Sequence, residues 1–356
     1  MGGICPPFTL RAERISFANL FLLGIRQKIL PAKSFEELSA LIVLLLLAGL
    51  LGSANAAGLA PQLSPGDHTI TINHGGRERS AIVHVPSRAV EMQNIPVVMN
   101  FHGGGGHAAN EQEYSLMDRV ADRDNFIAVY PNGTGRFGTR LLTWNAGTCC
   151  AYSVINNVDD VGFIRALVAD LAERTPIDRR RVYATGLSNG AMMAHRLAAE
   201  AADLIAAIAP VAGGMVVPAI TAARSVPVMH LHSIDDPRAL YSGGLGPPFP
   251  MTKSQVFHPN IDQMIARWVK HDGCAAQPAV TDRRADSDTR GHTATRYVYS
   301  NCRDGAEVAL WKLTGAGHVW PGGKQKFMER LLGPSTDIID ANTEIWNFFK
   351  RFALSN

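Results

Sequence analysis

Residues 68–86 alternate apolar and polar side chains on either side of a glycine pair. His68-Thr69-Ile70-Thr71-Ile72 runs out, Gly75-Gly76 turns, and Ala81-Ile82-Val83-His84-Val85 returns. That is the pattern of a half-buried antiparallel hairpin. Downstream the pattern changes: short apolar runs alternate with stretches of helical spacing. Strands are predicted at 95–101, 126–130, 181–185, 206–211, 226–231 and 308–313. Pro131-Asn132-Gly133 stops the second of these. Asp160 is placed to cap a helix whose apolar positions are Val161, Ile164, Val168 and Leu171. A second helix is predicted at 191–200. The last one buries Ala341, Ile345, Phe348, Phe349 and Phe352. Apolar strands alternating with amphipathic helices predict a mostly parallel sheet covered on both faces by helices, preceded by the antiparallel hairpin. No internal repeat is present. Asp235–Asn260, rich in Pro and Gly, breaks the rhythm and is too long for a plain connection. It reads either as a loop over a functional face or as a solvated excursion.

The N-terminal region has a different pattern. Residues 40–51 form one apolar block, and Ala54-Asn55-Ala56 follows with small-x-small spacing. Residues 1–56 therefore read as a secretory signal cleaved near Ala56, leaving 57–356 as a single α/β domain with no stable membrane partner. The segment before the block is long and contains Glu13, Glu36 and Glu37. That suits a start downstream of Met1, or a signal anchor that stays in place. No Cys follows the block, so a lipid-anchored route is not expected.

Composition narrows the picture further. Of 356 residues, 46% are hydrophobic, enough for a large core, and the net charge is only +3. Arg179-Arg180-Arg181 falls where a helix hands over to a strand and reads as a solvated connection. Nothing points to a nucleic-acid partner. Beyond the leader, Cys149, Cys150, Cys274 and Cys302 make an even count, which in an exported protein predicts disulfides. Cys274 with Cys302 is the natural bridge, closing a loop between a helix and a strand. Cys149 and Cys150 are left as adjacent partners or free thiols. C-x-x-C spacing is absent, so no zinc site is expected.

The candidate chemistry centres on Gly186-Leu187-Ser188-Asn189-Gly190. G-x-S-x-G between a strand and a helix is the context of a nucleophile elbow, with Ser188 exposed at the turn. An ordinary serine in a strand-to-helix loop is the plain alternative. A serine hydroxyl needs a base, and the base needs a carboxylate. In open α/β sheets such groups gather beyond the carboxyl ends of strands. The candidate acids are Asp235 and Asp236, after the strand ending at 231. The candidate base is His318, after the strand ending at 313. Phe101-His102-Gly103-Gly104-Gly105-Gly106 follows another strand and is suited to an oxyanion hole. Its donors are assigned to Gly103 or Gly104 and to Asn189. His195 reads as packing or surface, and Asp159 and Asp160 as helix-capping residues. The pair His230 and His232 lacks further ligands, so no metal is expected, and this chemistry requires no cofactor.

The chain resembles the poly(3-hydroxybutyrate) depolymerase-type esterases, a family that includes secreted feruloyl and acetylxylan esterases. The resemblance runs from about residue 68 to 353. It rests on His102-Gly103-Gly104-Gly105-Gly106, Trp144-Asn145-Ala146-Gly147-Thr148-Cys149-Cys150, Asp159-Asp160-Val161-Gly162-Phe163, the stretch 181–193, Gly317-His318-Val319-Trp320-Pro321-Gly322, and Ile345-Trp346-Asn347-Phe348-Phe349. It implies an α/β-hydrolase fold and ester hydrolysis through an acyl-serine. The family pattern His-Gly-x-x-Asp-Pro falls on His232-Ser233-Ile234-Asp235-Asp236-Pro237, which places the family acid on Asp236. Ser233 departs from the pattern. The expected substrate is a small or oligomeric ester, as for a polyhydroxybutyrate depolymerase-like enzyme or a plant-wall esterase, with no polymer-binding module. Trp144 and Trp320 are candidate walls of an apolar acyl pocket, with core packing an equal account of Trp144. A non-catalytic binding protein on a hydrolase scaffold is the rival from another class.

Overall fold

The strands are β1 (Gly66–His74), β2 (Arg77–Val85), β3 (Ile95–Phe101), β4 (Ile127–Pro131), β5 (Ile177–Leu187), β6 (Ala207–Val211), β7 (Val228–Ser233), β8 (Gly244–Leu245), β9 (Phe257–His258), β10 (Ala279–Ala285), β11 (Thr293–Tyr299) and β12 (Val308–Thr314). The computed structural model in which they are seen describes residues 63–249, 253–286, 291–326 and 328–355. The expected leader at 1–56 lies outside the described residues. The described residues belong to one compact unit, Leu59–Asn356. No helix among them is long and apolar enough to cross a membrane.

Ten strands form one sheet in the order β1-β2-β4-β3-β5-β6-β7-β12-β11-β10. The stretch from β4 to β12 is parallel throughout. Antiparallel strands extend it at both ends. β3 is buried at every position, because side chains on both faces meet helices. Val97, Met99 and Phe101 join the core formed with the helices Asp160–Arg174, Asn189–Glu200 and Ile261–Asp272. Val98 faces the opposite core, with the helices Ala108–Ser115, Asp118–Asp124 and Ala341–Phe349. The period-2 alternation of strand side chains thus feeds two layers at once.

The structure differs from the sequence expectations at several points. β10 and β11 form a hairpin that the apolar pattern missed, because β10 is an edge strand with most of its side chains exposed. The Cys274–Cys302 disulfide therefore closes around a hairpin and not around a plain loop. Cys149 is joined to Cys150. The helix Asp160–Arg174 is capped by Asp159, which accepts the Gly162 N–H at 2.8 Å. Asp160 is buried and takes Arg79 Nη2 at 2.6 Å. Arg179–Arg181 lies inside β5, toward its solvent-facing start. The last helix stops at Phe349, before Phe352.

Candidate active site

Parallel strands of the central sheet carry the candidate residues past the same edge. Ser188 follows β5, Asp236 lies three residues beyond β7, and His318 lies four beyond β12. The backbone ladder continues past the strand ends. Ser188 N–H donates to Val211 O at 2.9 Å, Ala212 N–H to Leu231 O at 2.9 Å, and Ile234 N–H to Leu313 O at 2.9 Å.

Ser188 caps the helix Asn189–Glu200 at φ 57° and ψ −117°. A non-glycine residue held there costs about 1–3 kcal/mol, which the surrounding packing must hold in place. The two motif glycines make the turn possible. A Cβ on Gly186 would stand 2.5 Å from Phe101 O, and one on Gly190 2.0 Å from the same atom. Only glycine lets the elbow press this closely on the end of β3.

The loop leaving β3 lies beside the serine. The Cβ position of Gly103 is 3.6 Å from Ser188 Cβ, and that of Gly104 is 3.6 Å from Asn189 Cβ. His102, under the loop, accepts the Gly133 N–H on Nε2 at 3.0 Å and donates from Nδ1 to Gly103 O at 2.8 Å. That pattern is a neutral imidazole, and burial pulls the ring down to about 4. Gly105 and Gly106 donate to Leu142 O and Gly103 O. The N–H groups of Gly103 and Gly104 have no acceptor among the described residues. The Asn189 side chain pins the segment opposite, with Oδ1 accepting Trp144 N–H at 2.7 Å and Nδ2 donating to Trp144 O at 3.2 Å.

His318 donates from Nδ1 to Asp236 Oδ2 at 2.7 Å, with both side chains buried. Asp236 Oδ1 accepts the N–H groups of Arg238 at 2.7 Å and Ala239 at 2.8 Å. Burial works against this charge, but the His318 and His232 rings outweigh it and hold the carboxyl well below the usual range. Asp235 is exposed and accepts Gly315 N–H at 2.7 Å. It fastens the histidine loop without touching the imidazole. Ser233, the departure noted in the sequence, donates from Oγ to Ala316 O at 2.5 Å. Two side chains thus tie the acid turn to the histidine loop.

The family model described as Esterase PHB depolymerase matches residues 79–285, which include the elbow, the glycine loop and Asp236. The chain belongs to this esterase family. Feruloyl esterase B of Piromyces equi is 27% identical over 285 residues, covering 78% of this chain and 46% of its own. The bifunctional acetylxylan esterase/xylanase XynS20E of Neocallimastix patriciarum is 28% identical over 251 residues, covering 70% and 32%. The chain thus spans less than half the length of either relative. An acetyl xylan esterase from Aspergillus awamori shares the fold, with a TM-score of 0.50 at 16% identity, covering 71% of this chain and 94% of that one.

Two expectations for this family member need correction. Trp144 and Trp320 do not wall a pocket. Both are fully buried, and both indole N–H groups are used internally, on His102 O at 3.1 Å and Asn342 Oδ1 at 3.0 Å. Trp144 packs edge-on against Phe101 beneath the glycine loop, and Trp320 belongs to the core beside the last helix. Sequence reasoning also missed His258, a buried ring on β9 close enough to His318 and Asp236 to feel their charges, and lowered to about 4 chiefly by burial. Its position on the 235–260 stretch brings that segment to the acid side of the site; within the stretch, 250–252 lie outside the described residues.

Proposed function

We propose that this chain is a serine carboxylesterase acting through an acyl-serine intermediate. Ser188 Oγ attacks the ester carbonyl while His318 Nε2 takes its proton. Asp236 holds the imidazole in the Nδ1–H tautomer and stabilises the imidazolium that forms. The oxyanion is received by the N–H groups of Gly103 or Gly104 and of Asn189. Collapse breaks the ester C–O bond, and His318 returns the proton to the leaving alcohol. Water then attacks the acyl-serine by the same route and releases the acid. The observation that carries the reading is the buried Asp236–His318 pair at 2.7 Å, on the edge of the sheet where Ser188 holds its strained turn.

Ser188→Ala is expected to lower turnover of a p-nitrophenyl ester by about 10³-fold or more and to abolish labelling by a fluorophosphonate. Turnover within tenfold of wild type would sink the proposal. For substrate, the relatives named feruloyl and acetylxylan esterases support an ester of the plant cell wall, and the family description supports 3-hydroxybutyrate oligomers. Leu245 and Phe257, exposed and facing one another across β8 and β9 next to His258, supply apolar surface for either. Secretion, with residues 1–56 as the signal, belongs to the same proposal and is supported by the two disulfides.

A further inference from the structure

We propose that His230 and His232 are positioning residues for Asp236, two rings hydrogen-bonded in one direction toward the turn that carries it. The proposal rests on Asp236 acting as the triad acid. β7 puts residues 230 and 232 on one face, and both rings are buried. His232 Nε2 lies 2.7 Å from Ala239 O and 3.4 Å from Asp236 Oδ2. A carbonyl only accepts, so the proton is on Nε2. Nδ1 of His232 then accepts from His230 Nε2, 3.0 Å away. That leaves His230 Nδ1 as a bare acceptor with no partner among the described residues. The next ring is His195, its centroid 5.4 Å from that of His230. Trp268 Nε1–H donates to His195 Nδ1 at 3.2 Å. The His195 proton is therefore on Nε2, also unpartnered among the described residues. One tautomer per ring satisfies every observed contact, and the His230 and His232 donors point the same way, toward Ala239. Burial, together with the neighbouring rings, holds His230 well below its ordinary value.

The row ends on the turn that holds the acid. Asp236 Oδ1 gathers the N–H groups of Arg238 and Ala239, and His232 gathers the carbonyl of Ala239. The turn is clamped from both sides. The His232 proton also competes with His318 for Oδ2. The charged and titratable groups around the carboxylate are His318 on its loop, His232 on β7, His258 on β9, and Asp235 and Arg238 on the turn itself. Without the His232 donor, Oδ2 is left to the His318 proton alone.

His232→Phe is expected to lower kcat about tenfold or more, with KM little changed, through a misplaced acid. It should also move the acid limb of the kcat/KM profile to higher pH. His232→Gln, whose amide can still donate to Ala239 O, should recover most of kcat and return the limb. A folded His232→Phe with wild-type kcat and an unmoved limb overturns the proposal. So does His232→Gln failing to recover. Nitrogen-15 NMR of the wild-type protein tests the row without any variant. His230 and His232 should both carry their ring proton on Nε2. An Nδ1–H tautomer or a protonated ring at either position refutes the proposal. Ser188→Ala run alongside separates the two readings: retained turnover there rejects the triad itself. Lost turnover there beside an unaffected His232→Phe rejects only the positioning role.

Discussion

The carboxylate of Asp236 collects two backbone N–H groups and the His318 ring, while its neighbour Asp235 holds one N–H of the histidine loop at the surface. Asp236→Asn is therefore expected to lower kcat by about 10³–10⁴-fold, because an amide can present its NH₂ to Nδ1 and favour the wrong tautomer. Asp235→Asn should stay within tenfold. A steady-state comparison on one ester checks both, and the reverse ranking would move the acid to 235. The doubled Asp leaves a one-residue ambiguity in sequence; in space Asp236 is buried against His318 while Asp235 is exposed. Ser188 was legible because its glycines and flanking elements are local. His232 was not, because its place depends on a carbonyl seven residues away and on the tautomer of the ring before it.

At the scale of elements, the hairpin β1–β2 is locked to the helix Asp160–Arg174 by a buried ion pair. Arg79 meets Asp160 at 2.6 Å, and its guanidinium lies 3.9 Å from the Phe163 ring centroid. The other Asp160 oxygen accepts Asn145 N–H at 2.8 Å, beside Trp144. Asp160→Ala leaves a buried arginine unpaired and is expected to cost about 3–5 kcal/mol in urea unfolding. The exposed cap Asp159→Ala should cost only about 1 kcal/mol. Equal losses would mean that the pair contributes nothing beyond capping. The parallel strands were readable because burial on both faces demands continuous apolar runs. β10 was hidden because an edge strand obeys no such demand: Asp282, Arg283 and Arg284 suit a strand with one open side.

For the molecule as a whole, stability should depend on pH through Glu111. This buried carboxyl sits in the helix that leaves the glycine loop, and burial pushes it up to about 8. Between an ordinary unfolded value near 4.5 and that folded value, the folded state binds the extra proton. Stability therefore falls as pH rises across this window and levels off above it. Glu111→Gln removes the penalty. Its gain over wild type should be small at pH 4.5 and reach a few kcal/mol at pH 8.5 by urea unfolding. An equal gain at both pH values would remove Glu111 as the cause. The elbow has a consequence of another kind. Gly186 and Gly190 are held by the crowding of Phe101 against the turn, whereas the serine between them is partly exposed. A descendant gene that lost Ser188 would still inherit both glycines, since the architecture needs them and not the reaction. Two glycines spaced four apart without the serine would then mark a retired enzyme still wearing its old frame.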